Sequence, residues 1–444
     1  MNKNDEIKIE IRDLHSNGSG VGAHESGKIV FVPEALPGDI LRAKVLKVKK
    51  NYAYGKIIEI IKPSLKRTKP ECSVAGRCGG CQFQHLKYSD QLEFKEKLVI
   101  DALTRIGGCE SVPILPILGM DEPYRYRNKA QFPVGNKGMG FYAARSHRIV
   151  PISGCNIHLC DEAFQAVQRA LKKNPILAYD EENHRGLLRH VVIRSGLNTG
   201  EVMIIFVLNT KLSKARELLA GIDLPYNIVV NENTARTNVI LGPKFAVLKG
   251  DGCIHEVIGH IRYRISPGAF FQVNSAQTRV LYDTVASLMK KSQSLRVIDA
   301  YSGIGGIALY IADLVQEVVG IESVPEAVED GIYNAKINNI ENARFLCGAV
   351  EILLPKLLDE KSCEGYDTLI LDPPRKGAES ALIEAAVAAK VPNIVYVSCD
   401  PATLARDVKL FMQDGYQLVS VQPVDMFPMT GHVETVVLLQ RRDT

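Results

Sequence analysis

No apolar run in this 444-residue chain is long enough to cross a bilayer, so no membrane contact is expected. The opening MNKNDEIKIEI carries early acids and no apolar h-region. A secretory leader is therefore not expected, and a cytoplasmic address is. Internal repeats and low-complexity tracts are missing too. A disulfide framework is not expected either: the ten cysteines of a chain in a reducing compartment are read as ligands, nucleophiles or small core residues. What remains is an ordinary globular composition, 46% hydrophobic and 23% charged. Single cores rarely exceed about 250 residues, so the length suggests two to four domains, here expected as a monomer.

The net charge of +4 conceals a local excess. Residues 41–70 hold ten Lys/Arg against one acid, Glu59. Such a block marks a polyanion-facing surface or a merely solvated basic strand. Residues 1–62 alternate in β fashion between Gly-rich turns, the pattern of a small antiparallel barrel. After a linker to Pro70 come a cysteine-rich knot, an amphipathic helix at about 89–106, and strand-rich sequence over 120–265. From about 275 helices alternate with the strands LRVIDA, EVVGIE, ARFLCGA, TLILDPP and NIVYVSC. This predicts a mostly parallel, Rossmann-like α/β sheet, closed by a C-terminal antiparallel hairpin. The expected units are 1–62, a central domain over 70–270, and an α/β domain over 271–444.

LRVIDA runs into Tyr301-Ser302-Gly303-Ile304-Gly305-Gly306 and then a helix. Glycines there let a ligand approach the backbone at a helix N-terminus, and Glu322 closes the next strand where it can accept from ribose hydroxyls. Two later strands end in Asp372-Pro373-Pro374-Arg375 and Ser398-Cys399-Asp400-Pro401. Ligands of open α/β sheets bind at the carboxyl ends of the strands, so Cys399 is a candidate nucleophile, helped by the helix start PATLARDV. The alternative is a buried structural thiol. Cys72-x5-Cys78-x2-Cys81 supplies three soft ligands, which suit zinc or an iron–sulfur cluster.

FFQVN (270–274), DAYSGIGG (299–306), DPPR (372–375), SCDPATLARD (398–407) and HVE (432–434) together resemble the RNA uracil-5 methyltransferase family. The resemblance implies a class I methyltransferase domain using S-adenosylmethionine, held by Gln272, Tyr301, Glu322 and Asp372. It makes Cys399 the nucleophile that adds to carbon 6 of uracil and Glu434 the base that removes the carbon 5 proton. Where relatives often carry an acid against adenine, this chain has Ala349. The barrel resembles a TRAM domain, an RNA-binding module. Members acting on large-subunit ribosomal RNA have a similar cysteine run holding a [4Fe-4S] cluster. This implies Cys72, Cys78, Cys81 and a fourth ligand, Cys155, with Cys160 competing. Cys109, Cys253, Cys347 and Cys363 are expected to be structural. Arg127, Lys129, His184 and Arg189 are candidates for substrate contact. A uridine of large-subunit ribosomal RNA is the expected target, with transfer RNA as the rival. A noncatalytic RNA-binding iron–sulfur sensor is the rival of another class.

Overall fold

The computed structural model describes residues 1–359 and 365–442, so Cys363 lies outside the described residues. The N-terminal unit is a closed barrel of β1 (Glu6–Leu14), β2 (Ser19–Ala23), β3 (Ile29–Pro33), β4 (Ile40–Val48) and β5 (Tyr52–Lys62), ordered β1-β2-β3-β5-β4. Strand alternation builds it. Ile7, Ile9, Ile11, Leu41, Ala43 and Val45 fill the interior, and the lysines between them face out.

Helix α1 (Tyr88–Arg105) follows the cysteine knot. Its buried Val99 and Leu103 join the core of the C-terminal sheet, and Ile114 and Leu118 form parallel bridges to Val421 and Val424. Residues 88–118, expected within the central domain, thus pack on the α/β unit. Helical periodicity shows which face is apolar, and cannot show which sheet receives it.

The central unit contains β6 (Lys129–Gly135), β7 (Gly138–Tyr142), β8 (Ile149–Pro151), α2 (Asp161–Lys173), β9 (Leu188–Ser195), β10 (Val202–Leu208), the short α3 (Ala215–Leu218), β11 (Asn227–Glu232) and β12 (Lys244–Lys249). Its seven strands run β12-β11-β10-β9-β6-β7-β8. Phe164 and Val167 of α2 pack against Phe132, Val191 and Phe206 of the sheet. The hairpin of β13 (Ile254–Ile258) and β14 (Ile261–Ile265) shares a core with the helices that follow it.

Those helices belong to the α/β unit: α4 (Ser275–Lys291), β15 (Arg296–Ala300), α5 (Gly306–Tyr310), β16 (Glu317–Glu322), α6 (Pro325–Ile337), β17 (Ala343–Cys347), α7 (Val350–Asp359), β18 (Thr368–Leu371), α8 (Ser380–Ala388), β19 (Asn393–Ser398), α9 (Pro401–Gln413), β20 (Tyr416–Val424) and β21 (Glu434–Arg441). The order is β17-β16-β15-β18-β19-β21-β20, with β21 and β20 antiparallel. Every residue of β18 and β19 is buried, as a sheet covered on both faces requires. The expected barrel, strand-rich centre and α/β sheet with a terminal hairpin are all present. No helix among the described residues is long and apolar enough to cross a membrane.

Candidate active site

Strand register brings the reactive side chains to one rim. Pairing of Ser398 with Thr435 across β19 and β21 sets Cys399, just past one strand end, beside Glu434 at the start of the other. The neighbouring β18 ends immediately before Asp372 and pairs Leu371 with Tyr396 of β19. Arg375 follows on the same loop, and its guanidinium lies 3.3 Å from Nε2 of His432.

The electrostatics of this rim are dominated by burial. It pushes Cys399 up to about 11, and the Glu434 and Asp372 carboxyls add to the rise while Arg375 opposes it. The positive helix end expected to favour a thiolate is already occupied: the Asp400 carboxylate caps α9, accepting from the Ala402 and Thr403 amides at 2.9 and 3.3 Å. Glu434 is pushed up to about 8 by burial and then by Asp372. Asp372 is pushed up to about 7 by burial. Arg375 and His432, which the sequence reading assigned no role, supply the polar surroundings of the pair. Both sat inside quoted motifs.

The glycine loop lies on the same edge of the sheet. Tyr301 takes a left-handed φ of 67°, uncommon for a bulky residue and typical of functional loops. Its hydroxyl donates to Glu351 at 2.9 Å, so the acid after Ala349 is engaged with the loop. Gly303 has a φ of 55° and nothing within 4 Å of where a Cβ would sit, leaving open space above the turn. Glu322 accepts from the Gly303 and Val324 amides at 3.0 and 2.8 Å, with lone pairs to spare for further donors. Asp299 Oδ1 and Ser302 Oγ are buried without a hydrogen-bond partner among the described residues. Burial and the nearby Asp372 push Asp299 up to about 8. Gln272 is buried in the loop before α4, its carbonyl accepting from Asn128 at 3.0 Å.

The tRNA (Uracil-5-)-methyltransferase family profile matches residues 256–442, and the TRAM domain profile matches residues 2–58. An RNA methyltransferase of Halalkalibacterium halodurans is 44% identical over 456 residues, covering 100% of this chain and 98% of that protein. One from Clostridium acetobutylicum is 42% identical with the same coverage. The chain belongs to the RNA (uracil-5-)-methyltransferase family. Among solved structures, the Pyrococcus abyssi tRNA (uracil-54, C5)-methyltransferase in complex with S-adenosyl-L-homocysteine superposes with a TM-score of 0.79 at 30% identity. It covers 98% of this chain and 100% of its own. This protein is thus an S-adenosylmethionine-dependent RNA (uracil-C5-)-methyltransferase with an N-terminal TRAM domain.

The methyltransferase also gathers Cys72, Cys78, Cys81 and Cys155 around one cavity of about 370 Å³, lined too by Gln84, Tyr126, Arg127 and Lys129. The Gly80 amide donates to Cys78 Sγ and Gln84 Nε2 to Cys81 Sγ, both at 3.4 Å. Burial pushes Cys81 up to about 12. Cys160 lies elsewhere, buried in the central core at the start of α2. Among the described residues no group of three or more His, Cys, Asp or Glu side chains is placed to hold a single metal ion. Cys109 is a core residue, whereas Cys347 is exposed at the end of β17.

Of the candidate substrate contacts, Arg127 and Lys129 face this cavity. Arg189 does not face RNA: its guanidinium is buried and donates to the carbonyls of Asn233, Ala235 and Thr237. His184 pairs with the Tyr179 hydroxyl at 2.9 Å.

Proposed function

We propose that this methyltransferase methylates carbon 5 of a uridine in large-subunit (23S) ribosomal RNA through a covalent adduct of Cys399, acting as a cytoplasmic monomer. The observation that carries the chemistry is the β19–β21 register, which puts one thiol and one carboxyl side by side at the rim. Carbon 5 of uracil is a weak nucleophile. Addition of the Cys399 thiolate to carbon 6 makes carbon 5 enolate-like, and it takes the methyl group. Glu434 then accepts the carbon 5 proton, the S–C6 bond breaks, and Cys399 leaves as thiolate. Arg375 favours the thiolate at both ends of this cycle. The nucleotide must leave its stack to reach the rim.

S-adenosylmethionine supplies an electrophilic methyl on a sulfonium. Gln272, Tyr301, Glu322 and Asp372 would hold it. Asp299 and Asp372, clustered with Glu322 and lacking matched cations among the described residues, suit a positively charged ligand, and the orphaned Asp299 Oδ1 and Ser302 Oγ offer it partners.

Cys72, Cys78, Cys81 and Cys155 would hold a [4Fe-4S] cluster. No three of them are placed to share one ion, whereas a cavity ringed by four thiols has room for a polynuclear group. The amide donors to sulfur and the guanidinium of Arg127 suit an anionic thiolate cluster. We assign it a folding and RNA-docking role, since methyl transfer needs no electron.

The basic barrel and the four-cysteine cavity together favour ribosomal RNA. Transfer RNA is a second reading, favoured by the full-length match to a Pyrococcus abyssi enzyme of that name. Incubation with 5-fluorouridine RNA and S-adenosylmethionine tests the chemistry: a covalent complex mapping to Cys399 is expected, and its absence under turnover conditions refutes the adduct. Tritium release from [5-3H]uridine-labelled ribosomal and transfer RNA decides between the two substrates.

A further inference from the structure

The barrel carries aromatic rings on its outside. His15 and Phe31 have ring centres 5.2 Å apart, Phe31 and Tyr52 5.7 Å, Phe31 and Tyr54 5.9 Å, and Tyr52 and Tyr54 5.5 Å. Parallel pairing of β3 with β5 creates the cluster by setting Phe31 opposite Tyr54. Val30, Val32 and Ala53, alternating with these rings, are the residues that fill the interior. Core packing therefore does not account for Phe31, Tyr52 and Tyr54. They stay half-exposed, and neither tyrosine hydroxyl has a hydrogen-bond partner among the described residues.

Cations surround the rings. Lys47 pairs with Tyr54 across β4 and β5, and Lys49 and Lys50 form the turn leading to Tyr52. All three are exposed and none is ion-paired among the described residues. The cluster also adjoins the catalytic segment. The carbonyl oxygen of Ser16, next to His15, lies 2.7 Å from where a Cβ on Gly431 would stand, on the run that leads into Glu434. The ring cluster thus begins, at His15, one residue from a contact with the base-bearing loop.

We propose that Phe31, Tyr52 and Tyr54, with His15 at the inner end, form a stacking platform for unpaired nucleotides beside the methylated uridine. This rests on the reading of RNA as substrate. Aromatic faces accept any unstacked base, and the flanking lysines follow the phosphates, a combination suited to single strands. A duplex hides its base faces and gains only the lysine contacts.

The full chain contains no tryptophan, so Tyr54→Trp creates a single fluorescent reporter on the platform. A labelled oligouridylate and a blunt RNA duplex are the probes. Oligouridylate should quench the reporter and the duplex should not. The double variant Tyr52→Leu/Tyr54→Leu should bind oligouridylate about tenfold more weakly, and Tyr52→Phe/Tyr54→Phe should bind as the parent does. The dependence on log salt should not change, because no phosphate contact is removed. Equal affinity of the double Leu variant, or binding without quenching, overturns the platform. Because binding is read without turnover, that result leaves the Cys399 chemistry standing, and failure of the adduct test leaves the platform standing.

Discussion

In its proposed role as base, Glu434 must be ionised to accept a proton, yet burial and the neighbouring Asp372 hold it up at about 8. Cys399 lies higher still, at about 11. Both shifts favour the inactive protonation state at neutral pH. Turnover is therefore expected to rise as pH increases through about 8, which a pH profile of kcat checks. Glu434→Gln keeps the shape and loses the base, so it should stall after methyl transfer and accumulate the RNA–protein complex, visible on a denaturing gel. The same shift has a stability consequence of defined sign. An unfolded Glu titrates near 4.3, and between that value and about 8 the folded chain binds more protons than the unfolded one. This contribution is fully present below the lower value and lost as pH rises through the upper. Glu434→Gln should accordingly raise Tm by a few degrees near pH 8 and leave it nearly unchanged near pH 4. Residue identities at the rim were legible because DPPR, SCDP and HVE are contiguous motifs. Direction was not: Arg189 looked like a substrate contact, and the folded chain turns it inward onto three carbonyls.

At the level of elements, the segment leading to β21 is held in place by helix α1. Lys95 of α1 donates to Asp425 at 2.5 Å and to the Phe427 carbonyl at 3.0 Å, and Tyr88 donates to the other Asp425 oxygen at 2.9 Å. Lys95 and Asp425 are both wholly buried. Removing one partner strands a charge, so Lys95→Met should cost about 3–5 kcal/mol, measured by denaturant unfolding. Lys95→Met/Asp425→Leu should recover part of that loss, since an apolar pair needs no ionic partner. Recovery is partial because Tyr88 then loses its acceptor. None of this was legible in sequence. The α/β strands announced themselves as continuous apolar runs, but a lysine on a helix reads as solvated. The bridges from Ile114 and Leu118 to β20 involve isolated residues with no period to detect.

Across the whole molecule, the cysteine cavity stands where the three units meet. The Gly79 amide donates to Tyr142 of the central sheet, and the Gln82 and Phe83 amides donate to Met429, just ahead of the loop that leads to Glu434. Tyr126, on the cavity wall, donates to the Pro428 carbonyl at 3.0 Å. Ser16 of the barrel presses on Gly431. The 428–434 run, which carries Glu434, is thus anchored on one side by the cavity and on the other by the barrel. Spacing among Cys72, Cys78 and Cys81 pointed to three ligands. Cys155 comes from another segment, and only folding brings it to the same cavity. A group bound by all four thiols ties those segments together in the native state alone, and so stabilises it by mass action. With the proposed cluster bound, the parent should absorb in the visible range, and Cys81→Ser should lack that absorbance and melt several degrees lower. It should also reduce kcat by loosening the loop that positions Glu434, while the fluorouridine complex still maps to Cys399. Equal melting temperatures for Cys81→Ser and parent, both purified anaerobically, would show that the cavity carries no stabilising group.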